Sequence, residues 1–357
     1  MCRTRILGLI FALLYLTWSA PSAMAQDGLW EKYSAAGRQA LEQRDFPAAE
    51  KQFAAALGEA ERDGPETARV ATTLFSQAEL LAAQGKYTEA EPLVRRVLAI
   101  REKVLPPDHP DLAISLATMA SFHVRNHKFA EAEPLATRAL AILEKAVAAD
   151  DPRLAKGLNM VGMMYTMQRR LAEAEPLAVR AFTIRQDILP AHHPDVAESA
   201  NNLGFLYLMQ KRYDGAEKFL AHALEIRKKA LPPDHPDIAE SLNNLGALYT
   251  IQGRHAEAVR YIKAALAIRE KVFGPEHESV GQAHYNLGVL YQIQRRPGKA
   301  EPHYRSALEI RQKALGPTHP LVADTLENYA LLLMTTGRTR EALRFKQRAA
   351  TIRAQRN

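Results

Sequence analysis

The chain has 357 residues, 47% of them hydrophobic, with 47 lysines and arginines against 40 aspartates and glutamates, which is enough apolar material for a sizeable folded core. The formal charge of +7 is a modest basic excess, not interleaved with aromatic residues as a nucleic-acid surface would be. Its one cysteine, Cys2, stands at the extreme N-terminus, so the rest of the chain can build neither a disulfide nor a zinc–thiolate site.

In chain order, Arg3 and Arg5 precede an apolar run from Ile6 to Trp18, and Ala23-Met24-Ala25 offers a small-x-small cleavage site before Gln26. That layout predicts a secretory signal peptide over residues 1–25 and an exported protein, periplasmic or secreted. The run is short for a membrane span, so membrane attachment is expected only if the segment stays uncleaved.

Residues 26–357 read as one array. A divergent first helical pair is expected at about 29–62, with Gly37, Phe46, Ala49, Phe53 and Ala56 in its packing slots. From Ala68 onward the chain repeats every 42 residues, as Pro110, Pro152, Pro194, Pro236 and Pro320 show, giving seven units over about 66–355. In the unit from Pro194, the stretch to Gln210 and the stretch from Tyr213 to Lys228 each carry apolar residues at helical spacing. Each unit is therefore two helices. A small residue recurs on the first helix (Ala78, Ala120, Gly162, Gly204, Gly246, Gly288, Ala330), and twelve residues later comes alanine (Ala90, Ala132, Ala174, Ala216, Ala258, Ala300, Ala342). Small residues at fixed slots let helix backbones approach closely, so these are packing positions. Tyr165, Tyr207, Tyr249 and Tyr291 fall between them.

Boundaries are also legible. Asp108-His109-Pro110-Asp111 and Asp234-His235-Pro236-Asp237 place proline in the first turn and a carboxylate at the positive helix end. Leu105-Pro106-Pro107 and Phe273-Gly274-Pro275 end second helices. Pro92, Pro134, Pro176 and Pro302 lie about a turn inside the second helices, which predicts a loosened or later start there.

Leu203-Gly204-Phe205-Leu206-Tyr207 followed by Tyr213-Asp214-Gly215-Ala216 resembles the tetratricopeptide repeat. The 42-residue period with Asn-Asn-Leu-Gly, Ala-Glu-Pro-Leu and Asp-His-Pro-Asp resembles its kinesin light chain subtype, over roughly Gly64 to Arg353. The resemblance implies an all-α fold, a right-handed superhelical solenoid of stacked antiparallel helix pairs, with a concave face lined by slots two, five, six, nine, twelve and thirteen of the first helices, Gly204 being slot eight.

Slot six reads Ser76, Thr118, Met160, Asn202, Asn244, Asn286 and Asn328, and Asn159, Asn201 and Asn243 stand one slot earlier. A carboxamide has a donor and an acceptor, so a ladder of them can pair with the backbone of an extended peptide, the task that related repeats give this asparagine. It can equally bond across to a neighbouring helix. Phe205, Met209 and Val289, with Met160, Met163, Ile251, Ile293, Leu331 and Met334, would add an adaptable apolar lining, or be core. Groove slots carry Glu79, Glu198, Glu240, Asp324 and Glu327 against Arg125 and Lys156, unlike the basic grooves of kinesin light chains that take acidic motifs, so an apolar or weakly basic segment is expected instead.

Arg101, Arg185, Arg227, Arg269, Arg311 and Arg353 form a second ladder, read as cations at helix C-terminal ends that reach the acid opening the next unit. His109, His193, His235, His277 and His319 recur with the repeat, one step apart, and read as capping residues rather than metal ligands. His123 and His284 sit in apolar slots as core histidines. No catalytic motif, metal site or cofactor loop is present in the sequence. The expected function is a non-enzymatic protein–protein interaction scaffold of the cell envelope that binds a peptide segment of a partner protein. The alternative is a structural protein that self-associates weakly through repeat ends and the basic cap with Arg338, Arg340, Arg344, Lys346, Arg348, Arg353 and Arg356.

Overall fold

The computed structural model describes residues 28–126 and 128–355. The expected signal segment, residues 1–25, lies outside the described residues. Among the described residues every regular element is helical, and no helix is long and apolar enough to cross a membrane.

The described chain falls into two compact units, 28–168 and 169–355. The first holds α1 (Leu29–Glu42), α2 (Phe46–Ala60), a single 3-10 turn (Glu61–Asp63), α3 (Ala68–Ala83), α4 (Tyr87–Val104), α5 (Pro110–Arg125), α6 (Phe129–Ala146) and α7 (Pro152–Met167). The second holds α8 (Leu171–Ile188), α9 (Pro194–Met209), α10 (Tyr213–Ala230), α11 (Pro236–Ile251), α12 (His255–Phe273), α13 (Glu278–Ile293), α14 (Pro297–Leu315), α15 (Pro320–Thr335) and α16 (Thr339–Ala354). Within each unit a first helix packs on its own second helix, and that second helix packs on the first helix of the next pair. This is a solenoid stack of helix pairs, in which each pair lends its neighbour the other wall of a core.

The small-residue slots explain the close packing. Ala90, Ala132, Ala174, Ala216, Ala258, Ala300 and Ala342 are all fully buried. A Cβ added at Gly204 would lie 2.8 Å from Leu220 Cγ, and one at Gly246 would lie 2.5 Å from Ile262 Cγ1. In the divergent first pair Gly37 meets the Phe53 ring in the same way, with an added Cβ at 2.5 Å.

Histidines cap α5, α9, α11, α13 and α15. Nδ1 of His109, His193, His235, His277 and His319 accepts the backbone N–H two residues on, at 3.1–3.2 Å. Asp151 does the same for α7, accepting from Arg153 N at 2.8 Å. A ring nitrogen thus takes the place of the usual side-chain oxygen at the N-cap. The expected loosening at the internal prolines does not occur. α4, α6, α8 and α14 run unbroken through Pro92, Pro134, Pro176 and Pro302. Each of these prolines is exposed, on the side of the helix where water can reach a carbonyl that has lost its N–H partner.

Candidate peptide-binding face

The first helices carry the predicted site, and the second unit holds most of it. Asn201, Asn243, Asn244 and Asn286 are buried, Phe205 and Val289 lie at the buried margin, and Asn202, Met209 and Asn328 are half-buried. In the first unit Asn159 is buried.

Asn201, Asn243, Asn244, Asn286 and Asn328 are tied from repeat to repeat. Asn244 Nδ2 donates to Asn201 Oδ1 at 3.0 Å, and Asn201 Nδ2 donates to Glu240 Oε1 at 3.2 Å. One repeat on, Asn286 Nδ2 donates to Asn243 Oδ1 at 2.7 Å and accepts at Oδ1 from Gln282 Nε2 at 2.9 Å. Asn328 Nδ2 donates to the Tyr285 hydroxyl at 2.8 Å and to the Asp324 carbonyl at 3.0 Å. The amides therefore act between neighbouring first helices, the second of the two roles open to them. The ties leave two groups over. Asn243 Nδ2, a donor, and Asn244 Oδ1, an acceptor, both sealed from solvent, have no hydrogen-bond partner among the described residues.

The arginine ladder is built into these same seams, where the sequence suggested cations at helix ends reaching the acid that opens the next unit. Arg101, Arg185, Arg227, Arg269 and Arg311 are buried. In the next pair each of them reaches a backbone carbonyl, and Arg185 also keeps the opening carboxylate, Asp195, at 4.0 Å. Nη1 donates to Asp111 O at 2.8 Å, Asp195 O at 3.0 Å, Asp237 O at 2.9 Å, Ser279 O at 3.0 Å and Leu321 O at 3.3 Å respectively. In four of them the same nitrogen donates to Ser115, Ser199, Ser241 or Thr325 one turn along. Arg311 also donates to Gln282 Oε1 at 2.6 Å, joining this staple to the amide chain. A hydroxyl four residues after the residue that follows the opening proline, at Ser115, Ser199, Ser241 and Thr325, was the available sequence signal for this arrangement.

The acids of the face are largely engaged. Glu198 lies 2.8 Å from Arg185, Glu240 lies 3.2 Å from Arg227, and Asp324 and Glu327 lie 3.0 and 2.8 Å from Arg353. The repulsive field expected from these carboxylates is correspondingly weak. Burial pushes the Glu240 carboxyl up to about 7 against the pull of Arg227, and Asp237 and Glu198 add to the rise. In the first unit burial likewise pushes Glu79 to about 7, opposed by Lys156, Arg101 and Arg38. Arg125 there lies over the Tyr87 ring, 3.6 Å from its centroid.

Beside the amides, apolar side chains stand in solvent. Ile251 is 47% exposed and Ile293 48%, one repeat apart in slot thirteen, and Met209 precedes them in the same slot. Leu331 at 47% and Met334 at 41% extend the apolar surface on α15. His284 and His303, which the sequence did not join, face each other with Nδ1 atoms 2.9 Å apart. Burial and the neighbouring His284 and Lys263 lower His303 to about 4, so this pair is no cation at neutral pH. Among the described residues no group of three metal-binding side chains forms.

The family model described as "Tetratricopeptide repeat" matches residues 32–103, 69–145, 153–229, 237–313 and 279–355. None of the curated proteins compared with the chain matches it significantly. Among solved structures, Rap protein complexed with Competence and Sporulation Factor is similar with a TM-score of 0.62 and 16% identity, covering 91% of this chain and 98% of that one. The apo form of RapI gives 0.56 at 15% identity, covering 80% and 97%. The nearly identical TPR-like repeats of a proposed Podosopora anserina kinesin light chain give 0.47 at 23% identity, covering 57% and 97%.

Proposed function

We propose that this chain, which belongs to the tetratricopeptide repeat family, is a non-enzymatic scaffold of the cell envelope that captures an extended peptide segment of a partner protein along its first helices. The observation that carries this reading is the file of apolar side chains in slot thirteen, Met209, Ile251 and Ile293, the last two nearly half exposed. Exposed apolar groups recurring at one repeat spacing give a segment several anchor points in a row. With the acids of the face held by arginines, apolar contact rather than charge selects the segment, so its preferred composition is apolar and close to neutral. The Rap protein that shares this fold is seen with Competence and Sporulation Factor bound, which is in keeping with a binding role for such a stack.

Asn244→Ala and Asn286→Ala would disturb the stacking as well as the surface, so exposed positions make the cleaner test. Peptides selected from a displayed random library on the wild-type protein should bind Ile251→Asp/Ile293→Asp at least about tenfold more weakly, with helicity by circular dichroism unchanged. Equal binding to both would remove the face from consideration. Salt-sensitive oligomers in light scattering would instead favour assembly through α16. Export is tested by fractionation with N-terminal sequencing, the expected first residue of the mature chain being Gln26.

A further inference from the structure

An ion-paired clamp recurs through the second unit, and one copy of it is rebuilt. At the start of each second helix an arginine stands just before the first turn: Arg170, Arg212, Arg254, Arg296 and Arg338. Arg254 pairs with Glu217 of the preceding second helix at 2.8 Å and with Glu257 of its own at 2.6 Å. Arg338 pairs in the same way with Glu301 and Glu341, both at 2.6 Å, while Arg212 keeps Glu175 at 2.6 Å and Arg170 keeps Glu173 at 2.6 Å. The carboxylate from the preceding helix serves a second donor as well, because Glu217 accepts from the Tyr249 hydroxyl at 3.0 Å and Glu301 from Tyr329 at 3.1 Å.

At Arg296 both acids are gone. Val259 stands in the slot of Glu217 and Glu301, and Lys299 stands in the slot of Glu257 and Glu341. Arg296 retains only a 3.4 Å bond to Gln294 Oε1, and the Tyr291 hydroxyl has no hydrogen-bond partner among the described residues. These residues line an open cleft of 740 Å³ between α12 and α14, which Lys263 also enters. The clamp at Arg254 holds one cation and two anions, whereas this one holds Arg296, Lys299 and Lys263 and no acid.

We propose that this cleft binds a multiply charged oxyanion of the phosphate class, which takes the position that a glutamate carboxylate fills in the neighbouring clamps. Its oxygens accept from the Arg296 guanidinium and the Tyr291 hydroxyl, as Glu217 does from Arg254 and Tyr249, with the two lysine ammonium groups balancing further charge. A single carboxylate would satisfy the first two donors and leave the lysines uncompensated, so the phosphate class fits the site better. The cleft is wide enough for an organic group to extend over Val259 and the Tyr291 ring. It is built from the second helices α12 and α14, the turn between α13 and α14, and Tyr291 near the end of α13, and does not depend on the peptide-binding reading.

The test is calorimetric titration of the full chain with pyrophosphate at low ionic strength. The wild type should bind, and Val259→Glu/Lys299→Glu, which restores the clamp of the neighbouring repeats, should bind at least about tenfold more weakly while melting no lower. Lys263→Gln, at an exposed position, should weaken binding severalfold, and so should Tyr291→Phe. No binding by the wild type, or equal binding by the restored variant, would overturn the site. Binding of a hexaglutamate peptide without binding of pyrophosphate would overturn the assignment to phosphate.

Discussion

Although Trp30 Nε1 donates across 43 residues to Thr73 Oγ1 at 2.9 Å in the first unit, at slot six of their first helices the two units put polar side chains to different uses. In residues 28–168 Thr118 Oγ1 donates to the Ile114 carbonyl at 2.8 Å and Ser121 Oγ donates to the Ala117 carbonyl at 3.0 Å, so each hydroxyl is spent on its own helix. In residues 169–355 Asn244 and Asn286 reach back 43 residues to Asn201 and Asn243 on the preceding first helix. A hydroxyl sits next to Cβ and finds the carbonyl one turn back, whereas a carboxamide is longer and carries donor and acceptor together. The difference teaches that register in the second unit is specified by buried polar ties as well as by apolar packing, and that these ties carry a cost if broken.

The arginine staple provides the strongest way to break that comparison. Arg227 serves the Asp237 carbonyl, the Ser241 hydroxyl and Glu240, whereas Arg101 serves the Asp111 carbonyl and Ser115 with no carboxylate in ion-pair contact. Arg227→Met should therefore cost about 3 kcal/mol and Arg101→Met about 2 kcal/mol, read from urea unfolding curves. Equal costs would mean that the acid adds nothing to the second unit's seams.

Glycines on the first helices give an intermediate effect. An alanine Cβ at Gly204 would meet Leu220 Cγ at 2.8 Å and Leu220 N at 3.0 Å, and a backbone atom cannot swing away. At Gly157, in the first unit, it would meet the free end of Leu143 at 2.9 Å. Gly204→Ala should lose about 2 kcal/mol through overpacking. Gly157→Ala should stay within about 0.5 kcal/mol, because Leu143 can yield and alanine favours the helix. Thermal melts of the two variants decide this, and a tolerant Gly204 would show that the second unit is no more tightly packed there.

The smallest expected effect concerns the polar ties themselves. Asn286→Ala leaves Gln282 and Asn243 short of a partner and should cost about 1 kcal/mol. Thr118→Ala removes only a bond back to its own helix and should change stability by less than about 0.5 kcal/mol. Denaturant titrations that found the two equally mild would erase the distinction between the units.

Much of the architecture was open to reading from spacing. The alanine slot and the Asp-His-Pro-Asp starts stand where the period placed them, and the divergent first pair sets Gly37 against Phe53, since each depends on contacts within one pair or on a cap two residues away. The internal prolines misled because spacing alone does not say which side of a helix meets water. Pro92, Pro134, Pro176 and Pro302 lie on exposed sides of their helices, and the helices continue. The arginine ladder was visible as a ladder, but its environment was not.

The sequence by itself determined the period, the helical pairs, their caps and the small residues at their crossings, because those follow from interactions over a turn or two of chain. Only the tertiary structure decided that the asparagines tie helix to helix, that the arginines are buried staples on backbone carbonyls, and that Arg296 faces a cleft where its counterparts face glutamates. Each of these depends on groups brought together by stacking, across 10 to 43 residues of chain, and the direction a long polar side chain takes is set by which neighbour can satisfy it once buried.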